Sequence, residues 1–319
     1  MHSSLISIGK YSLSYSLSDP PPSHEHEPNN HHHDPLLVII PGAGDAASSY
    51  VAVNRLLHPS TQILCYDRSG LGRSEKGPDP PNAVRAAKDL HCLLSALNIT
   101  NRLILLAHSY GGIIAREFLS LYPDLVAGMV LCDASTERAS EFFSIPDPNI
   151  AAVLGDLKFA AVTGLRRDTV LSDDEWRARA KDIYAGLETA HAEAAAFGEV
   201  CASLKAKQQI RNQALGNRPL SVIRANTARD YQRVYQAGVE AGKGDEEQRR
   251  AFREVLGVWE EVDQMMQEEQ LGLSGLSRFV RLEDCGHNVH LIRPDVIAGE
   301  VRWVRERVLE DIERSRVDL

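Results

Sequence analysis

Short, unbroken apolar runs recur along the first half of the chain. They cover residues 36–40 (LLVII), 62–66 (QILCY), 103–107 (LILLA) and 127–132 (AGMVLC). None alternates with polar positions, so each reads as a parallel strand buried on both faces. The segments between them follow a helical period. Residues 82–97 place Val84, Leu90, Leu93, Leu94 and Leu97 on one face. A second helix follows Gly112 and stops at Tyr122-Pro123. Residues 5–17 alternate around Gly9-Lys10, the pattern of a β-hairpin at a sheet edge. Strand, small-residue turn and helix thus succeed one another, which predicts a parallel, helix-covered α/β sheet.

The rhythm breaks at residues 136–218. This stretch has no β-branched run, and its apolar residues fall at helical spacing in DEWRARAKDIYAGLETA and EAAAFGEVCASL. It predicts several helices inserted between two strands; following a strand C-end directly, they are placed as a lid, not as a separate helical domain. Residues 219–225 (PLSVIRA) resume the sheet. A long helical stretch, 230–271, is interrupted at Gly242-Lys243-Gly244, with Tyr235, Val239, Phe252, Val255, Leu256 and Trp259 as its expected buried face. A last strand at 278–282 and a helix at 295–316 follow, the helix turning Val296, Ile297, Val301, Val304 and Val308 inward. The expected organisation is a sheet core from 1–135 and 219–319 with a helical lid at 136–218. Residues 19–35, DPPPSHEHEPNNHHHDP, are expected to be a disordered loop, because Pro and His in this density cannot bury a core.

Composition narrows the function classes. The chain has 319 residues, 43% of them hydrophobic, and a net charge of −9, ordinary for a globular protein and wrong in sign for a nucleic-acid binder. No apolar run reaches the 18 residues of a membrane span. The first residues lack a basic stretch followed by an apolar core, so no signal peptide is expected. The five cysteines are odd in number and form no C-x-x-C pair, which fits a reduced, cytoplasmic protein. A small-molecule substrate is the expected partner; monomer and homodimer both stay open.

The chemistry centres on 103–118, LILLAHSYGGIIAREF. Ser109 stands between a strand and a helix, with Ala107 two residues before it and Gly111 two after. This is a nucleophile elbow, a turn so tight that only small neighbours fit, although Ala107 replaces the first glycine of G-x-S-x-G. A serine hydroxyl needs a base, and the base needs a carboxylate to fix its tautomer. His287, in EDCGHNVH after the last strand, supplies a base, with His290 as its rival. Residues 41–45, PGAGD, end a strand in a glycine-rich turn. They lack G-x-G-x-x-G and a P-loop lysine, so their amides are read as facing an oxyanion and not a phosphate. No metal or cofactor is expected.

PGAGD, YDRSGLGRS, AHSYGG, LCDAS and CGHNVH together resemble the landmarks of the α/β-hydrolase fold, over residues 36–133 and 219–310. The resemblance implies Ser109 as nucleophile and His287 as base, with the backbone amides of Ala43 and Tyr110 as oxyanion hole. Gly42, Gly44 and His108 would lie beside the substrate. The acid has two placements in the family. After the strand that follows the lid, the usual position falls near Ala228, leaving Asp230 two residues on; one strand earlier, Asp133 ends LCD. Asp133 is preferred, with Asp230, Glu283 and Asp284 as alternatives. The implied activity is cleavage of an ester, lactone or thioester through an acyl-enzyme. Lyase, cyclase or carbon–carbon bond hydrolase chemistry, and ligand binding without turnover, remain open on this fold. Serine in place of aspartate at the elbow argues against an epoxide hydrolase or haloalkane dehalogenase.

Overall fold

The computed structural model describes residues 3–20 and 34–317. The 19–35 segment therefore lies outside the described residues except for its two ends, and the His tract 31–33 lies wholly outside them. Eight strands form one sheet in the order β1-β2-β4-β3-β5-β6-β7-β8. They are β1 (Ser4–Ser7), β2 (Ser12–Leu17), β3 (Leu36–Ile40), β4 (Ile63–Tyr66), β5 (Leu103–His108), β6 (Val126–Cys132), β7 (Leu220–Arg224) and β8 (Ser277–Arg281). The β1–β2 and β2–β4 pairings are antiparallel. Every other pairing is parallel.

The helices of the first half are α1 (Val51–Leu57), α2 (Ala83–Ala96) and α3 (Gly111–Leu121). Between β6 and β7 stand α4 (Ala139–Phe142), α5 (Pro148–Leu154), α6 (Phe159–Val162), α7 (Leu165–Asp168), α8 (Asp173–Ala185), α9 (Leu187–Ala195) and α10 (Phe197–Ala206). After β7 come α11 (Thr227–Glu240) and α12 (Glu246–Glu269), then α13 (Val289–Ile292) and α14 (Pro294–Val317) beyond β8. No helix among the described residues is long and apolar enough to cross a membrane.

The unbroken apolar strands have a simple cause. Successive side chains point to opposite faces, and both faces are covered. Leu36, Val38, Ile40, Leu103, Leu105 and Ala107 belong to one buried cluster, which takes in Leu90 of α2 and Phe118 of α3. Leu37, Ile39, Ile104, Leu106 and Val130 belong to the other, with Val53 of α1 and Val301 of α14. The carboxyl ends of β3, β5 and β6 thereby lie side by side, and the loops carrying Ala43, Ser109 and Asp133 leave the sheet together. Functional groups collect at this edge in open α/β sheets.

One expected face residue, Val239, is exposed, whereas Val84, Leu97, Tyr235, Val255, Leu256 and Val296 are half-buried. Helix α11 instead turns Val234 and Gly238 inward; an ideal Cβ on Gly238 would meet the Val153 carbonyl of α5 at 2.2 Å. The crossing is so close that Val239, next along the helix, is carried to the solvent side.

Leu105 is fully buried in the central strand, whereas Leu5 is 58% exposed at the sheet edge. Leu105→Ala is expected to lower the unfolding free energy by about 2–5 kcal/mol, measured by urea titration. Leu5→Ala is expected to stay within about 0.5 kcal/mol of the parent.

Candidate active site

Ser109 lies between β5 and α3 with φ at +53°. A non-glycine residue in the left-handed region is strained, and the surroundings hold it there. The Ser109 amide donates to the Cys132 carbonyl at 3.2 Å, and the Ser109 carbonyl accepts from Gly112 and Ser135, both at 2.9 Å. The following glycine is a steric requirement: an ideal Cβ on Gly111 would stand 2.3 Å from the Ile40 carbonyl oxygen. Tyr110 caps the N-terminus of α3, where amides lack intrahelical acceptors.

Asp133 follows β6 directly and is also left-handed, with φ at +43°. It is buried, and three donors fill its carboxylate. Oδ1 accepts from the Ala225 amide at 2.9 Å. Oδ2 accepts from the Thr227 hydroxyl at 2.7 Å and from His287 Nδ1 at 2.6 Å. A carboxylate oxygen on Nδ1 assigns the proton to that nitrogen, which leaves His287 Nε2 as an acceptor. His287 and Ser109 line the same cavity.

Asp230 does not reach the imidazole by hydrogen bond. Its carboxylate packs on the loop backbone, where an ideal Cβ on Gly286 would fall 2.0 Å from Oδ2. Burial pushes its pKa up. Glu283 pairs with Arg281, and Asp284 with Arg293, both at the surface. His287 itself balances opposing effects. Burial disfavours its charged form, but the hydrogen bond and charge of Asp133, reinforced by Asp230 and Asp263, outweigh burial and hold its pKa above the ordinary value.

His290 and His108 stand apart from the cavity. His290 is fully buried, stacks on Tyr50 with ring centroids 4.5 Å apart, and has Nε2 3.4 Å from Asp45 Oδ2. His108, expected beside the substrate, is also buried. Its Nε2 donates to the His287 carbonyl at 2.8 Å, because the residue before a sharp turn points its side chain to the opposite side from the serine. Burial, first of all, pushes both imidazoles down in pKa. Asp45, His108 and His290 are the buried group among the described residues whose ligand atoms lie within 4.8 Å of one another. A carboxylate and two neutral imidazoles are donors a divalent cation accepts.

The cavity holds about 470 Å³. Ala43, Ser109, Tyr110 and His287 form its floor, whereas Gly42 and Gly44 are buried in the loop and do not line it. Phe143, Ile150, Leu154, Phe159 and Phe197 from the 136–218 helices form part of the wall. Tyr231, Val234, Val255 and Trp259 complete it from α11 and α12. Phe143, Trp259 and Tyr231 form an aromatic row with centroids 4.6 and 4.4 Å apart. The expected lid, 136–218, therefore supplies only part of this wall. The signal for the rest was present: Tyr231 and Trp259 are large aromatics on amphipathic helices, but nothing in their spacing separates a cavity wall from a core. Among the described residues that line it there is no Lys or Arg; the acids are Asp147 and Glu193.

A model of the alpha/beta hydrolase family matches residues 37–300. The chain is 30% identical over 275 residues to an AB hydrolase superfamily protein of Gibberella zeae, covering 82% of this chain and 84% of that one. Among solved structures it resembles a putative lipase from Acinetobacter baumannii AYE, at TM-score 0.66 and 16% identity, over 97% of this chain and 92% of the other. It also resembles a thermophilic esterase from Thermogutta terrifontis, at TM-score 0.59 and 17% identity, over 96% and 99% of the two chains.

Because the His287 pKa is raised mainly by Asp133, Asp133→Asn is expected to drop it below the ordinary value near 6.5, burial then acting against a weaker opponent. Asp230→Asn, which removes only a charge, is expected to drop it less. Histidine NMR titration of the three proteins checks the order.

Proposed function

The chain belongs to the alpha/beta hydrolase family, and from that premise we propose that it is a serine hydrolase cleaving an ester, lactone or thioester of a small to medium apolar molecule. The observation that carries this reading is the His287–Asp133 hydrogen bond at 2.6 Å, in a histidine that opens on the cavity of Ser109.

In this reading His287 Nε2 takes the proton of Ser109 as Oγ attacks the carbonyl carbon. The tetrahedral oxyanion is held by the amides of Ala43 and Tyr110. His287 then protonates the leaving oxygen or sulfur, and an acyl-serine remains. A water, deprotonated by the same nitrogen, attacks the acyl carbon, and collapse returns the proton to Ser109. Asp133 keeps the imidazole oriented and stabilises its charged form without taking the proton. The 136–218 helices act as the lid, with α11 and α12 as its fixed side. The apolar wall without a cation favours a neutral acyl or lactone substrate, because an anionic one would be desolvated with no partner. That two structural neighbours are a putative lipase and an esterase is in keeping with this class of substrate.

A fluorophosphonate probe is expected to label Ser109 in the folded protein and not in Ser109→Ala; an unlabelled wild type would sink the proposal. Asp133→Asn is expected to lower kcat by about 10⁴-fold on a p-nitrophenyl ester, whereas Asp230→Asn stays close to wild type.

The base must be neutral, so kcat/KM is expected to fall as pH drops through the His287 pKa. That limb should lie above the ordinary histidine value, since the hydrogen bond and charge of Asp133 outweigh burial. A pH–rate profile with p-nitrophenyl butyrate checks it, and a rate that rises on acidification contradicts the base assignment.

A further inference from the structure

One buried ion pair takes no part in the chemistry above. Arg68, just beyond β4, and Glu193, on α9, each expose 3% of their side chains. Arg68 Nε donates to Glu193 Oε1 at 2.8 Å and Nη2 to Oε2 at 2.9 Å, a two-pronged contact. The same guanidinium donates from Nη1 to the Pro41 carbonyl and from Nη2 to the Gly42 carbonyl, each at 2.7 Å. Glu193 Oε2 also accepts the Gly44 amide at 2.8 Å. The Gly42 carbonyl and the Gly44 amide flank Ala43, and the Pro41 carbonyl lies one residue earlier.

Peptide geometry makes this more than a brace. In a planar trans peptide, the carbonyl of one residue and the amide of the next point in opposite directions. The Gly42 carbonyl is fixed on Arg68, so the Ala43 amide is turned directly away from the guanidinium, on a residue that lines the cavity of Ser109. The Glu193–Gly44 bond holds the next peptide as well. The loop also fits α9 closely: Gly44 has φ at +62°, and an ideal Cβ there would stand 2.5 Å from Ala190 Cβ.

We infer that Glu193, acting through Arg68, is a positioning residue that aims the Ala43 amide at the oxyanion, so that docking of α9 completes the oxyanion hole. This rests on the serine-hydrolase reading. Its consequence is specific. The 136–218 insert does not merely cover the substrate; with α9 withdrawn, the Pro41 and Gly42 carbonyls would be held by a guanidinium lacking its counter-charge, and the loop would lose its aim.

The test compares wild type with Glu193→Gln and with the double variant Arg68→Met/Glu193→Leu. The double variant removes both charges and keeps apolar volume, so no charge is left buried alone, but the Pro41 and Gly42 carbonyls and the Gly44 amide lose their partners and its melting temperature is expected to fall. Assayed well below that temperature, where circular dichroism shows it folded, its kcat on p-nitrophenyl butyrate is expected to fall about 10²–10³-fold, as when one oxyanion donor is lost. KM should be unchanged, the sign of an interaction made in the transition state and not on binding. Glu193→Gln, which keeps an oxygen for the Gly44 amide, should fold and lose less. Hydrogen exchange at residues 42–44 should accelerate in the same order. A purely structural pair would move the melting temperature and leave kcat alone. A labelled, active wild type beside a folded double variant of equal kcat overturns this inference alone. A wild type that no fluorophosphonate labels overturns the hydrolase reading and this inference with it.

Discussion

Three donors from two loops converge on one carboxylate at the end of β6, and the geometry of the cavity floor depends on them. Asp133 is held by the Ala225 amide and the Thr227 hydroxyl before it ever meets His287. The anchor therefore ties β6 to the start of α11, and His287, arriving from beyond β8, docks on a carboxylate that cannot rotate away. A buried carboxylate without such partners would be expensive to keep charged. Here both carboxylate oxygens accept hydrogen bonds, so the desolvation is compensated. Asp230 and Asp263 add negative charge to the same neighbourhood. Burial raises the pKa of both, and for Asp263 the nearness of Asp133 adds to the rise.

The sheet was legible because its physical requirement is written locally. A strand covered on both faces must be apolar throughout, and 36–40, 103–107 and 127–132 are. The elbow was legible for a similar reason: Ser109 and Gly111 answer a steric demand within a few residues. The choice of acid was harder. Asp133 and Asp230 both end up within the surroundings of His287, and only strand order decides which side chain faces Nδ1. The segment after β7, where the family's other placement would put an acid, instead supplies the Ala225 and Thr227 donors that hold Asp133.

What sequence could not show lies in contacts between distant segments. Tyr231 and Trp259 carry the periodicity of any amphipathic helix, yet they wall the cavity opposite Phe143. His108, adjacent to Ser109 in sequence, faces away into a buried group with His290 and the Asp45 carboxylate. Arg68 and Glu193 are separated by 125 residues; Arg68 falls within YDRSGLGRS, but Glu193 sits in no pattern that distinguishes it from a surface charge, and nothing local pairs the two. Their burial becomes visible only once α9 is laid on the loop after β3.

The left-handed backbones of Ser109 and Asp133 set a limit on how robust this fold can become. Each such conformation is worth on the order of 1–3 kcal/mol of strain, and the two occur at the ends of neighbouring strands. Glycine would relieve both. At Asp133 the relief would be offset by the three hydrogen bonds lost with the carboxylate, so the strain is uncompensated only at Ser109. Selection for heat resistance alone would therefore drift toward glycine at Ser109, and any programme that hardens this protein has to check at every round that the hydroxyl facing the cavity is still there.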